Sequence, residues 1–247
     1  MSTNVAIDHD VPSRDSSPGG PVLVAVIGPP GAGKSTIVRG LARANGAPVF
    51  RLRETIRARP GLLAGLAPSP DPLGWVSLEA VRRVLIAAFL GSAYAADPVV
   101  LLDNFPGTAG QLNLLAEIAG QAGRRLALLE LTATAATAVA RVAERRVCPA
   151  CGPDPHAPAE PATDDPELCS SCRAALIRRT SDVPRLHGLR MARYLANRPE
   201  IAESAADHAI EHRTVSADDD LTAVRSSVNA VLSHLLTTAT QPRGRQP

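Results

Sequence analysis

Lysine is almost missing from this sequence. Its 247 residues carry 26 basic side chains, and all of them except Lys34 are arginine. A general cationic surface therefore does not explain that one lysine. Aromatic residues are also scarce, at 2%, which excludes a core built on stacked rings; with 45% hydrophobic content the interior must be made of Leu, Val, Ala and Ile. No apolar run approaches the ~18 residues a membrane-spanning helix needs, so no membrane partner is expected. The net charge of +2 removes any broad electrostatic case for nucleic acid. Residues 1–20 lack the apolar stretch of a signal peptide and carry Asp8, Asp10, Pro12, Asp15 and Pro18 instead. They read as a disordered leader, residues 237–247 as a disordered tail, and the chain as cytoplasmic. The length suits one domain, 21–236, with an inserted piece, and not two full domains.

Against these absences, the motif around the single lysine stands out. The stretch Gly28-Pro29-Pro30-Gly31-Ala32-Gly33-Lys34-Ser35-Thr36 fits G-x-x-x-x-G-K-[ST], the loop that cradles phosphate. A compact ammonium fits inside a loop whose N–H groups wrap a phosphate, whereas a wide planar guanidinium does not. Val22 to Ile27 reads as a buried strand before the loop, and Thr36 to Ala44 as the helix after it. Phosphate then lies on a helix N-terminus, where free N–H groups and the dipole favour anions.

Strand candidates are Val22–Gly28, Pro48–Phe50, Pro98–Phe105, Arg124–Thr132 and His208–Glu211. Helical patterns cover Ser35–Ala44, Leu52–Arg59, Ser77–Tyr94, Thr108–Gln121, Thr134–Glu144, Ser181–Asn197 and Asp219–Leu236. This alternation predicts an α/β fold, a five-stranded parallel sheet flanked by helices. The stretch from Pro60 to Gly74 is broken by prolines and glycines and reads as mobile. Four apolar residues, Val99 to Leu102, lead into Asp103. Behind a phosphate loop, an acid at that strand end is suited to hold the water shell of Mg²⁺; alone it would serve equally as a strand cap.

All four cysteines fall in two CxxC pairs, Cys148/Cys151 and Cys169/Cys172, with 17 residues between them. In a reducing cytosol this predicts a tetrahedral structural Zn²⁺ site rather than disulfides. Four thiolates leave no open position for catalytic water, and a redox role needs only one pair. Arg141 and Arg145 precede the first pair and, four residues apart, are expected on one helix face. Arg179 and Arg190 follow the second pair. A zinc-anchored flap would thus gather four guanidiniums at its roots, as phosphoryl transfer requires.

The pieces GPPGAGKST (28–36), LLDNFPGTAGQ (101–111), RVAERRVCPACG (141–152), CSSC (169–172) and IRRTSDVPRLHGLRMARYLANRPEI (177–201) together resemble the adenylate kinase family in its zinc-lid form. The resemblance implies a P-loop kinase fold with a zinc-stapled lid at 146–184 and an acceptor-binding segment at 51–80. ATP and Mg²⁺ would be the cofactors, a small nucleotide the partner, and the enzyme a monomer. Gly31, Ala32, Gly33, Lys34, Ser35, Thr36, Arg141 and Arg145 would bind ATP, with Ser35 facing Mg²⁺. Lys34, Asp103, Arg141, Arg179 and Arg190 would carry the transfer. Arg57, Gln111, Arg53, Arg179 and Arg190 would meet the acceptor, and Asp182 would be one of the paired carboxylates of the lid.

Three departures fall mainly on the acceptor side. The family's Phe-Pro-Arg-Thr is Phe105-Pro106-Gly107-Thr108, its Ser-Thr-Gly-Asp is Arg51-Leu52-Arg53-Glu54, and one lid carboxylate is replaced by Ser181. Losing the arginine contact should cost roughly 1.5–3 kcal/mol unless Arg51 or Arg53 substitutes, and Gly107→Arg is expected to recover it. The reading is therefore transfer from ATP to AMP by default. The alternatives are a modified nucleotide or other small acceptor, or a non-catalytic ATP-binding module.

Overall fold

The computed structural model describes residues 20–151, 159–179 and 182–237. The leader is described only at its last residue and the tail only at its first; the rest of both, and Ser181, lie outside the described residues. β1 (Val22–Ile27) is buried at all six positions because parallel strands flank it on both sides. β3 (Val99–Asp103) sets Val26 opposite Asp103, and β4 (Arg125–Thr132) sets Ile27 opposite Glu130. β2 (Val49–Phe50) and β7 (Glu211–Ser216) complete a parallel sheet in the order β2-β3-β1-β4-β7.

Alternation along β1 divides the core in two. Leu23, Ala25 and Ile27 face one layer with Phe50, Val84, Leu102, Leu115 and Ile201. Val22, Val24 and Val26 face the other with Ile37, Val38, Val228 and Leu232. The first layer is covered by α3 (Leu78–Leu85), α4 (Ala109–Gln121) and α6 (Pro184–Asp207), the second by α1 (Lys34–Asn45) and α7 (Leu221–Thr237). Helix starts follow local chemistry: the Thr108 hydroxyl accepts from Gln111 N–H at 3.1 Å to open α4, and the Thr134 hydroxyl accepts from Thr137 N–H at 3.2 Å to open α5 (Ala135–Glu144). α2 (Leu52–Ala58) follows β2 directly.

Between α5 and α6 the chain leaves the core. β5 (Arg146–Val147) pairs antiparallel with β6 (Ile177–Arg178) to form the stem of the insert. Beyond the stem, Cys148, Cys169 and Leu176 make a small separate core. Among the described residues, no helix is long and apolar enough to cross a membrane.

Several expected boundaries move. The last strand is Glu211–Ser216, not His208–Glu211; His208 is the C-cap of α6. Its sequence looks polar because it is an edge strand in which Val215 alone is fully buried. α6 runs past Asn197 and through Pro199 to Asp207. The proline lies on the exposed side, and the continuation is held by buried Ile201 and Ala205 and by the Ser204 hydroxyl bonded to Asn113 at 2.5 Å. The expected helix over Ser77–Tyr94 stops at Leu85 and continues as a wider turn over Ile86–Leu90. The broken stretch after Pro60 is tied to the core at Asp71. Its Asp71 carboxylate accepts from Leu73 N–H at 2.8 Å and ion-pairs with Arg193 on α6 at 2.7 Å.

Candidate functional site

A cleft of about 630 Å³ opens at the C-terminal ends of β1 and β3, between the core and the insert. All fourteen residues expected to form the site, cysteines aside, line it. Gly28 and Gly31 are required where the loop is tightest. Both have positive φ, and a Cβ on Gly28 would lie 2.2 Å from the Leu131 carbonyl oxygen, one on Gly31 2.5 Å from that of Ala138. The loop ends at Gly33, the N-cap of α1, so the first helical N–H groups face the cleft.

The Lys34 ammonium curls back into its own loop, donating to the carbonyls of Gly28 (2.8 Å) and Pro29 (2.7 Å). Burial lowers it to about 8, with nearby Asp103 opposing the shift and Arg145 and Arg179 adding to it. The Ser35 hydroxyl donates to Asp103 at 3.2 Å. A hydroxyl and a nearly buried carboxylate side by side form the hard-oxygen pair that suits Mg²⁺.

Arg145, Arg179 and Arg190 come together at the foot of the insert. Burial first, then Arg179 and Arg53, lower Arg190 to about 10; burial and Arg179 likewise lower Arg145. Asp182 offsets part of this charge, 2.9 Å from Arg145 and 3.8 Å from Arg190. Among the described residues, the buried Nε of Arg179 has no hydrogen-bond partner. Arg141 and Arg145 do not share a helix face, which corrects the sequence expectation. α5 ends at Glu144, Arg145 is its extended cap, and Arg141 donates instead to the Asp219 carbonyl at 3.2 Å.

The opposite half of the cleft is built differently. Trp75 packs its ring edge over Gly107, where a Cβ would come within 2.6 Å of the indole. Arg193 stacks on the same indole, 4.8 Å from its centre. A side chain at position 107 would therefore have to displace the indole, a steric demand on any arginine restored there. Gln111 turns its side-chain oxygen onto Gly107 N–H at 2.8 Å. Arg53 donates to the Leu73 carbonyl at 2.7 Å, and Arg51 reaches Asp103 at 2.9 Å. Arg57 lies exposed on the wall.

Sequence reasoning also missed a buried anchor behind the site. Glu130 on β4 is 1% exposed and accepts from Tyr194 and Arg198 on α6, while His212 on β7 lies 3.0 Å away. Burial alone would raise this acid, but His212, Arg198 and Tyr194 hold it down at about 2. A glutamate inside the apolar run of β4 was the available signal. For Trp75 the signal was its being the only tryptophan.

In the insert, Sγ atoms of Cys148 and Cys172 lie 3.5 Å apart, those of Cys151 and Cys169 3.6 Å, and all four fall within 4.8 Å. Tetrahedral zinc–thiolate bonds of roughly 2.3 Å require sulfurs about 3.8 Å apart, so the set fits zinc. Backbone N–H groups of Ser171 and Cys172 pull the Cys169 thiol down to about 6, while Cys151, crowded by the Cys172 and Cys169 thiols, is pushed up. Four thiols this close ionise together only around a cation.

The sequence model of an AAA domain matches residues 23–150, just over half of the chain. Curated relatives include adenylate kinases of Kosmotoga olearia (26% identical, covering 86% of this chain and 99% of that protein) and Novosphingobium aromaticivorans (28%, 85% and 98%). The adenylate kinase of Trichlorobacter lovleyi is 30% identical over 64% of this chain and 74% of its own length.

Proposed function

The chain belongs to the adenylate kinase family, and from that premise we propose that it transfers the γ-phosphate of ATP to AMP, giving two ADP. The acceptor phosphate oxygen forms the new bond to phosphorus as the bond to the ADP oxygen breaks, in line and with no covalent enzyme intermediate. Such chemistry needs positioning and charge rather than a general base. In this reading the loop Gly31–Thr36 and Lys34 cradle the donor phosphates, with Arg141 and Arg145 beside them. Arg145, Arg179 and Arg190 offset the charge that spreads over the equatorial oxygens. Ser35 and, through water, Asp103 would hold Mg²⁺, which when bound neutralises phosphate charge. Arg53, Arg57 and Gln111 meet the acceptor. The insert 146–184, stapled by Zn²⁺ on Cys148, Cys151, Cys169 and Cys172, works as a lid on the core 21–236, with 51–80 as the acceptor segment. A closed lid keeps water from the transferring group. We read the enzyme as monomeric and cytoplasmic.

One observation carries this reading. Three guanidiniums and an ammonium converge on the cleft with two carboxylates, Asp103 and Asp182, against them, and among the described residues the buried Nε of Arg179 has no hydrogen-bond partner. A polyphosphate supplies what that cluster lacks. A second reading, an acceptor other than AMP, is favoured by Trp75 standing where the family's acceptor-phosphate arginine would point. The test is ADP formation from Mg–ATP with no acceptor, AMP, dAMP, CMP, UMP, GMP and the matching nucleosides. Turnover with AMP alone supports the first reading. Turnover only with another acceptor supports the second. ATP binding without turnover on any of them removes the first and leaves an acceptor outside this panel or a non-catalytic ATP-binding module.

A further inference from the structure

Asp103 has both carboxylate oxygens engaged. Oδ1 accepts from the Ser35 hydroxyl at 3.2 Å and Oδ2 from Arg51 Nε at 2.9 Å. The Asp103 side chain is 4% exposed and that of Arg51 21%, so the pair is shielded from water more on the acid's side than on the arginine's. Arg51 is the residue just before α2 and lines the acceptor half of the cleft. Its guanidinium also lies 3.6 Å from Glu54, and the Lys34 ammonium is near enough to Asp103 for the two charges to interact.

This arrangement has a consequence for any divalent cation at Asp103. A guanidinium on Oδ2 repels a dication and fills the place of the water through which the carboxylate would hold it. Arg51 is also the cation best placed to leave. Arg53 donates to the Leu73 carbonyl, whereas Arg51 reaches from the loop that opens α2 straight across to the metal carboxylate. Position 107, meanwhile, offers no side chain to an incoming phosphate.

We propose that Arg51 is a ligand of the acceptor's phosphate that moves between Asp103 and that phosphate, so that acceptor and divalent metal assist each other's binding. The proposal rests on the kinase reading above for the identity of the acceptor. An arriving phosphate offers Arg51 a doubly charged partner with bidentate geometry. Asp103 is then left nearly buried with the Ser35 hydroxyl beside it, and a hydrated dication replaces the lost positive charge. By reciprocity, metal at Asp103 releases Arg51 to the acceptor by the same factor. ATP and metal without acceptor are thus held in a weaker complex, which limits wasteful hydrolysis.

The experiment uses the full chain with a non-hydrolysable ATP analogue and Mn²⁺ in place of Mg²⁺, with free Mn²⁺ read by electron paramagnetic resonance. AMP and, separately, inorganic phosphate serve as acceptor probes. In the wild type, AMP should tighten Mn²⁺ binding. Arg51→Met should tighten it about tenfold without AMP, the worth of one charge-assisted contact, and abolish the further gain on adding AMP. The substitution is compatible with folding because the Arg51 carbonyl, which accepts from Thr55 N–H and its hydroxyl at 3.0 Å each, is unchanged. Arg59→Met removes the same charge at the far end of α2, outside the cleft lining, and should leave acceptor-free Mn²⁺ affinity as it was. Equal affinity in Arg51→Met and wild type overturns the proposal. So does an AMP effect that survives Arg51→Met or is missing in the wild type, or an equal tightening by Arg59→Met. The acceptor-free arms need no turnover, so a failure of the kinase reading in the ADP assay is distinct from a failure here.

Discussion

The two halves of the cleft are built by different means. The donor half is held by backbone: a glycine loop against Leu131 and Ala138, a helix N-terminus, and a lysine tied to its own loop. The acceptor half is held by side chains from distant segments, with Trp75 over Gly107, Arg193 on Trp75, Asp71 on Arg193 and Arg51 on Asp103. A backbone cradle has little freedom to change, because each N–H must keep pointing at a phosphate. A side-chain clamp can be rebuilt one residue at a time.

The largest blow to that contrast comes from the donor side. Lys34→Ala should lower the transfer rate by about 10²–10³-fold, as expected for removing one preorganised charge, in single-turnover ADP formation. A rate within a few-fold of wild type would dissolve the distinction between the halves. Stripping metal from the four cysteines should cost about 10²-fold through misplaced arginines, while Mn²⁺ binding at Ser35 and Asp103 persists. The starting protein should hold one zinc per chain, bound through sulfur only, by X-ray absorption.

On the acceptor side the expected effects are smaller. Gly107→Arg should destabilise the fold by about 1–3 kcal/mol, because its Cβ overpacks against the indole, and should not raise AMP turnover. Adding Trp75→Ala should recover most of that loss in thermal unfolding and let the new arginine reach the cleft. A stable single variant with improved AMP affinity would sink our account of Gly107.

The mildest probe is pH. Lys34 sits at about 8, below its usual 10.5, because burial disfavours its charge. Bound polyphosphate favours that charge and raises it again. Above pH 8 binding must therefore take up a proton, and ATP affinity should fall by up to about tenfold per pH unit until the bound-state value is reached. Calorimetry in buffers of different ionisation heat would register the proton. A flat profile from pH 7 to 9 would mean the ammonium is not moved by phosphate.

The uneven legibility of the sequence has the same origin. The phosphate loop, Asp103 and the cysteine pairs are patterns of fixed spacing, because a backbone turn or a tetrahedral metal dictates the number of residues between them. The five strands were visible where burial on both faces makes a continuous apolar run, as in Val22–Ile27, and poorly placed where an edge strand needs few apolar residues, as in Glu211–Ser216. Trp75 and Gly107 lie 32 positions apart, and no periodicity links them. That pair is a fact of tertiary packing, and from sequence alone Gly107 looked like a missing arginine. The helix end at Glu144 was legible, but Arg145 is the extended residue just past it, so the four-residue spacing from Arg141 does not set a shared face.

The solitary lysine has a practical reach beyond phosphate. Apart from the α-amino group, Lys34 is the only amine in 247 residues. Lowered to about 8, it holds a free-base fraction at neutral pH some two orders of magnitude above that of an ordinary lysine. An amine-directed acylating reagent that scatters over most proteins would have one side-chain amine to find here, inside the donor loop. The mass shift on the peptide that carries Lys34, and its suppression by nucleotide, would then report the occupancy of that loop with no label introduced by mutation.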